Sequence, residues 1–577
     1  MKVLFFSPNR IILPHSIPEI VAFRSLLQQG ISVSILGCKG VLQRRCTSQD
    51  ARNIYDGGLT IQKSELCREC IKAQKQVKEI PGVASDLDIE DLITEEEWHE
   101  ANKLIEANVQ DLISLEISGV PVGRLALYET VLTFKLISNN LTGESERYYR
   151  DLLFGSILLC FASKTLVKTE SYDFLMLHNS LYCHNQTLSQ NLRLSGTQTI
   201  SFHCGLNFAH RENRLIVAND NFKKFIASLK FEFTKISDHQ IQEEIFNKIL
   251  EHIKVSSGGG TVFAYSSPMQ NESVLKKLGI QKNSQVVLAV LSSADELIAA
   301  KEAGYLPYED FNELFVDQFS WIKWLFSWAK KNADREVVIR IHPREAPNRR
   351  EKNISQSMSS FEKILQTKPK NVYINWPEDN ISMYDFVPHV ECVLTSWSSA
   401  GKEFSLLGIP VISYINQNRS YPDDIHAVAN TLEEYNYFLS KEYIKYSFDR
   451  SKQIIRSLQW LKFEQFTCSL DLSFIDALKL PSRSLLSRAL VKLEYLTKRL
   501  FGFEIRNYPH DLIHKAIKQK IPENILKSFK LILKDHQNNI YIPPEEGDKS
   551  GKFLSYEECV KRIDKFILSN FSNKKIK

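Results

Sequence analysis

The sequence predicts an α/β protein with two Rossmann-like domains, a cleft between them and a helical C-terminal extension, and three observations carry that prediction. β-Branched runs at residues 2–6, 31–37, 286–291, 337–341, 390–395 and 410–414 meet turn residues and mostly lead into helical patterns, which is the βαβ rhythm of a parallel sheet. A chain of 577 residues is too long for one hydrophobic core. Residues 256–261, SSGGGT, hold consecutive glycines that mark a linker rather than an element interior. The expected division is an N-terminal domain at 1–255, a second domain at 256–440, helices crossing back at 441–480 and a basic extension at 481–577.

In chain order, residues 2–6 form a strand, the turn SPNR follows, and residues 17–29 have helical spacing that stops at Gly30 before the next strand. The acidic stretch from 86 to 100 reads as a solvated helical insertion. Residues 149–163 form an apolar helix, and strands at 174–177 and 199–202 end in HNSLYCHNQ and HCGLNFAHRE. Beyond the glycines, residues 286–291 end in SSADE, where Ser292 and Ser293 cap a helix or touch a ligand. A helix at 321–331 precedes the strand at 337–341, and residues 449–463 form a helix crossing back.

With 43% hydrophobic and 24% charged residues the composition is that of a soluble globular chain, and no apolar run reaches the roughly 18 residues of a membrane span. The N-terminal MKVLFF continues as a strand, so it reads as structure rather than a signal, and a cytoplasmic protein is expected. The net charge of +5 is modest and no nucleic-acid partner is expected. The basic character belongs to residues 481–577, which hold 20 Lys or Arg against 11 Asp or Glu. Within them, residues 485–503 place Leu486, Leu490, Leu493, Leu496 and Leu500 on one stripe, with Arg488, Lys492, Lys498 and Arg499 largely off it. Such a helix either packs on the body or attaches to the inner membrane surface.

Ten cysteines in a chain read as cytoplasmic are not a disulfide framework. Four of them crowd into the pattern C-x7-C-x20-C-x2-C, made by Cys38, Cys46, Cys67 and Cys70. C-x2-C is a half-site for a thiophilic metal, so the cluster suits a structural zinc or an iron–sulfur cluster, against four unrelated reduced thiols.

Polar residues collect where the strands of the second domain stop: Ser292 after the first, Arg340, His342 and Arg344 after the second, and Thr395, Ser396, Ser398 and Ser399 after the third. In an open α/β sheet the ligand crevice lies there. Ser398, Ser399 and Gly401 fall where a helix begins, with Lys402 and Glu403 in its first turn. Free N–H groups and positive charge from His342, Arg344 and Lys402 would suit a phosphate or diphosphate.

The dipeptides His342-Pro343 and Ser398-Ser399, with the run GKEFSLLGIPVI from 401 to 412, resemble the nucleotide-sugar domain of GT-B glycosyltransferases that build bacterial capsules, including Kdo and sialic acid transferases. The resemblance covers residues 286–414 well and the remainder in outline. It implies a GT-B fold in which His342, Ser398 and Ser399 hold the donor phosphate and Glu403 contacts ribose or sugar hydroxyls. It also implies a catalytic base on the N-terminal half, for which His203 is the first candidate and His178 and His210 are alternatives. The implied activity moves a sugar from a nucleotide-sugar donor, CMP-linked in preference to UDP- or GDP-linked, to a growing surface saccharide or lipid-linked saccharide. No catalytic metal is expected, in keeping with a chain read as lacking a D-x-D pair at a strand end. Two other readings are a CDP-glycerol-type glycerophosphotransferase of teichoic-acid-like polymers and a non-catalytic nucleotide-sugar-binding subunit.

Overall fold

The computed structural model describes residues 1–51, 60–205, 211–219, 222–236, 240–259, 265, 267–270, 273–281, 284–304, 314–348, 352–416, 418–475, 508–534, 540–543 and 551–571. Two α/β bodies each carry a largely or wholly parallel sheet. In the first body the strands are β1 (Lys2–Phe6), β2 (Ser32–Gly37), β3 (Ser85–Asp88), β4 (Phe174–His178), β5 (Gln198–Cys204) and β6 (Arg214–Asn219). β1 pairs in parallel with β2 on one side and β4 on the other, β5 continues the parallel run, and β6 reverses it.

The period-2 alternation that identifies β1 also splits it between two cores. Leu4 and Phe6 point to the layer containing the helix Glu144–Thr169, and Val3 and Phe5 to the layer containing Leu13–Leu27. By length and composition Glu144–Thr169 is apolar enough to cross a membrane, which corrects the reading that no such run exists; 72% of its most apolar window is buried inside the protein.

The short strand β7 (Gln240–Gln242) and the helix Glu243–Ser257 pack on the second body. Its core therefore begins ahead of the expected linker: Ser256 and Ser257 are helical, while residues 260–264 lie outside the described residues. The second sheet comprises β8 (Val286–Val290), β9 (Glu336–Arg340), β10 (Val372–Asn375), β11 (Val390–Thr395), β12 (Val411–Tyr414) and β13 (Ala427–Ala429), all paired in parallel. Val286, Leu288 and Val290 face one core layer, and Val287, Ala289 and Leu291 the other.

After the helix Arg450–Lys462 the chain returns to the first body, where β14 (Leu470–Asp471) pairs antiparallel with β6. The described parts of the C-terminal extension divide between the bodies. Helices Tyr508–Lys518 and Glu523–Lys534 pack on the first sheet, while β15 (Phe553–Ser555) pairs with β7 and leads into Tyr556–Asn570 on the second. The amphipathic stretch at 485–503 lies outside the described residues.

The bodies are joined through the helix Val122–Phe134, which packs against Ala294–Glu302. At its end Lys135 adopts a left-handed conformation, φ 50°, and its buried Nζ donates to the carbonyls of Arg344, Ala346 and Asn353. Asn353 answers with a bond to Thr133 O at 2.7 Å, so the junction is stitched from both sides.

Candidate functional site

Strand order locates the candidate crevice in each body. In the first sheet, β14-β6-β5-β4-β1-β2-β3, the chain leaves β1 toward β2 and β3 and later resumes on the other side at β4, so the topological switch lies between β1 and β4. Three histidines gather there. His178 ends β4, His203 lies near the end of β5, and His15 opens the helix after β1. The rings of His15 and His178 stack 3.9 Å apart, and those of His178 and His203 are 6.3 Å apart.

Burial, then the neighbouring imidazoles and Arg211, keep this group uncharged. His15 is pushed down to about 3 and His203 to about 4, and His178 lies well below the usual imidazole range. The His203 tautomer is set by its backbone. Nδ1–H donates to Cys204 O at 2.7 Å, which fixes the tautomer in which Nε2 carries no proton. His178 Nδ1 is buried with no hydrogen-bond partner. Beneath the cluster, buried Glu19 accepts from Ser7 and from Arg10 Nη1 at 3.2 Å, and its carboxylate also meets the backbone N–H of His178.

In the second sheet, β10-β9-β8-β11-β12-β13, the switch lies between β8 and β11. Register brings Val290 beside Thr395 and, on the other side, Arg340, so Ser292, Ser396 and His342 all follow strand ends at one level. The hydroxyls of Ser292, Thr395 and Ser396 are buried there without hydrogen-bond partners. Such orphans are uncommon in folded proteins and often mark a place for a ligand or water. His342 caps the turn Pro343–Glu345, with Nδ1 accepting from the Arg344 N–H at 3.2 Å. Its proton therefore sits on Nε2, and the ring, pushed down to about 3 by burial and then by Arg344, Arg340 and Lys135, is a neutral donor. The two half-buried histidines thus present opposite faces, an acceptor on the first body and a donor on the second.

Several side chains expected at this site are committed elsewhere. Arg340 is buried with Nη1 on Asn375 and on Ile381 O at 2.9 Å, so it braces the sheet from within. Arg344 spans the junction, with Nη2 on Asp295 at 2.9 Å and on Leu132 O at 2.6 Å. Lys402 is 1% exposed and grips both oxygens of the fully buried Glu464, at 2.8 and 2.7 Å. Its partner lies 62 residues further on, which is why the sequence reads it as an open cation. Glu403 is buried and accepts from the Tyr384 hydroxyl, so it does not offer its carboxylate to a ribose.

Gly401 makes room for Tyr421 rather than for a ligand, since a Cβ there would lie 2.1 Å from the Tyr421 hydroxyl, which donates to Ser398 O at 3.0 Å. Ser398 Oγ accepts from the Ala400 N–H at 3.3 Å, and Ser399 makes no side-chain cap to the helix Ala400–Leu406. Both serines are half-buried beside the orphan hydroxyls. His210 lies outside the described residues. A D-x-D pair does occur at a strand end: Asp86 and Asp88 close β3, where Lys78 holds both.

Residues that the sequence did not single out complete the arrangement. His15 and Glu19 stand on the helix after β1, and only the β1–β4 neighbourhood brings them to His178. Arg419 is fully buried beneath the β11 loop, with Nε and Nη2 on Ser396 O at 3.3 and 3.2 Å. Tyr128, on the joining helix, feels the charges of Glu296 and Arg344 from the second body and interacts with Tyr182 after β4. Tyr182 after β4 and Glu296 and Arg344 of the second body therefore all lie near the one Tyr128 side chain.

No protein-family model matches the sequence, and no curated protein does. Among solved structures, the chain is similar to the beta-Kdo 2,4 transferase KpsC of Thermosulfurimonas dismutans, at 14% identity and a TM-score of 0.28 over 42% of this chain and 69% of that one. It is also similar to the UDP-GlcNAc 2-epimerase of Neisseria meningitidis, at 10% identity and a TM-score of 0.27 over 81% and 97% of the two chains. The glycosyltransferase SnogD of Streptomyces nogalater aligns at 11% identity with a TM-score of 0.23, over 85% and 99%. These values are too low to bear on activity.

Proposed function

We propose that the chain is a GT-B-type glycosyltransferase that takes a nucleotide-sugar donor in the second body and a hydroxyl-bearing saccharide acceptor against the first. The observation that carries this reading is the pair of oppositely fixed histidines, one beside the switch point of each sheet. His203 Nε2 supplies a lone pair for the acceptor proton, and His342 Nε2–H supplies a donor for the leaving phosphate. Ser292, Thr395 and Ser396 provide further hydroxyls at the second switch, with Ser398 and Ser399 beside them. An anionic donor entering the junction would raise the His203 pKa from its low resting value, so the base becomes competent when substrate is bound. In this reading the acceptor is a growing surface polysaccharide reached from the cytoplasmic face of the membrane.

Thermal unfolding of the full chain against CMP-, UDP- and GDP-sugars, with CDP-glycerol as the competing donor class, tests the assignment. A ligand at about 100 times its Kd stabilises the folded state by about 2.7 kcal/mol. A concentration-dependent rise with one class of nucleotide-sugar, followed by sugar transfer, is expected. Stabilisation by CDP-glycerol alone would replace the glycosyltransferase with a glycerophosphotransferase.

A further inference from the structure

A cavity of about 350 Å³ lies at the carboxyl ends of β1, β2 and β3, and Cys38, Cys46, Cys67 and Cys70 all line it. Three separate elements deliver them. Cys38 follows β2, Cys46 precedes the helix Thr47–Ala51, and Cys67 and Cys70 sit one turn apart on Thr60–Lys78. Each sulfur is close enough to the other three for their charges to interact.

Backbone N–H groups are also aimed at these sulfurs. Leu42 N donates to Cys38 Sγ at 3.3 Å, with Gly40 N near the same atom. Gln49 N meets Cys46, and Arg10 and Ile11 N–H meet Cys70. The buried Arg10 guanidinium lies near the same sulfur. Donors to sulfur are among the outer-shell features found around metal-bound cysteines.

The four side chains ring the cavity rather than converge. Among the described residues no three His, Cys, Asp or Glu are placed around a single ion position. One zinc needs its four sulfurs at about 2.3 Å, whereas a cluster gives each thiolate its own metal atom and tolerates the spread. We propose that Cys38, Cys46, Cys67 and Cys70 are the ligands of one thiolate-bound metal centre, whose geometry fits an iron–sulfur cluster better than a lone zinc. The centre is structural toward the rest of the body. Ser7 and Pro8 line the same cavity, so the centre adjoins the Ser7–Arg10 turn whose side chains hold Glu19 under His178.

The test is metal and acid-labile sulfide analysis of the full chain purified anaerobically, together with its visible absorption spectrum. If metal is lost on the way, reconstitution is attempted with ferrous iron and sulfide or with zinc. Iron with sulfide and a charge-transfer band supports the centre in cluster form, and one equivalent of zinc without colour supports it in mononuclear form. In either case, chelation should expose four additional titratable thiols. The double substitution Cys67→Ser and Cys70→Ser should abolish metal uptake, while Cys559→Ser, on the last helix, should leave it intact. Neither metal taken up by the wild-type chain, with all four thiols freely titratable from the start, overturns the proposal. That result does not depend on whether the variants fold.

Discussion

Replacing Lys402 with Met separates the two roles open to that side chain. Lys402 and Glu464 are 1% and 0% exposed, and the ammonium reaches both carboxylate oxygens within 2.8 Å. K402M leaves the Glu464 charge buried without its counter-ion, and breaking one side of such a pair typically costs about 3–5 kcal/mol. The Met side chain fills much of the vacated volume, so the loss is mainly electrostatic. The double variant K402M/E464L removes both charges and should recover most of the stability, because well-packed apolar replacements of buried pairs are often neutral. Urea unfolding of wild type, both single variants and the double variant, with thermal stabilisation by the donor measured on the same preparations, completes the cycle. A K402M protein with the wild-type midpoint but no donor response would refute the reasoning and return Lys402 to the phosphate.

Three further outcomes follow from the same geometry. G401A should destabilise by about 1–3 kcal/mol, because its Cβ would lie 2.1 Å from the Tyr421 hydroxyl, and Y421F in the same chain should relieve part of the loss; an unaffected melting temperature would contradict the packing. His15 is held uncharged with its folded value pushed down to about 3, chiefly by desolvation, so the unfolded chain takes up its proton first as pH falls. Its contribution is complete above the unfolded value of about 6.5 and declines by about 1.4 kcal/mol per pH unit below it. Wild type should therefore lose stability relative to H15N between about pH 6.5 and 4, and parallel pH profiles would show that His15 is not held neutral. H342A should lower turnover by about a hundredfold to a thousandfold if Nε2–H meets the leaving phosphate, and wild-type turnover per folded molecule would leave it only the cap on Arg344 N–H.

Much of the fold was legible because its signals are local. Parallel strands buried on both faces appear as β-branched runs, and the strands expected at 286–291, 337–341, 390–395 and 410–414 lie within a residue of β8, β9, β11 and β12. β3 gives no strand signal because Ser85–Asp88 is a polar edge strand without an apolar pattern, inside the acidic stretch whose composition suggests a helical insertion. β6 and β14 reverse direction, which no single-strand periodicity reveals.

The candidate site was harder to read because its determinants are long-range. Ser292, His342, Ser398 and Ser399 follow strand ends, a position that their local sequence context alone indicates. The commitments of Arg340, Lys402 and Glu403 depend on Asn375, Glu464 and Tyr384, which only the folded chain brings to them. His15 and Glu19 gave no signal beyond their places on a helix, since the switch between β1 and β4 assembles the histidine cluster.

The most direct test of the central claim is single-turnover transfer by H203Q, with donor affinity measured on the same protein. The account separates a base on the first body from a donor site on the second, so H203Q should bind the nucleotide-sugar within about twofold of wild type, with transfer slower by about 10²–10⁴-fold. Wild-type transfer by H203Q, or loss of donor binding with the fold intact, would contradict that division.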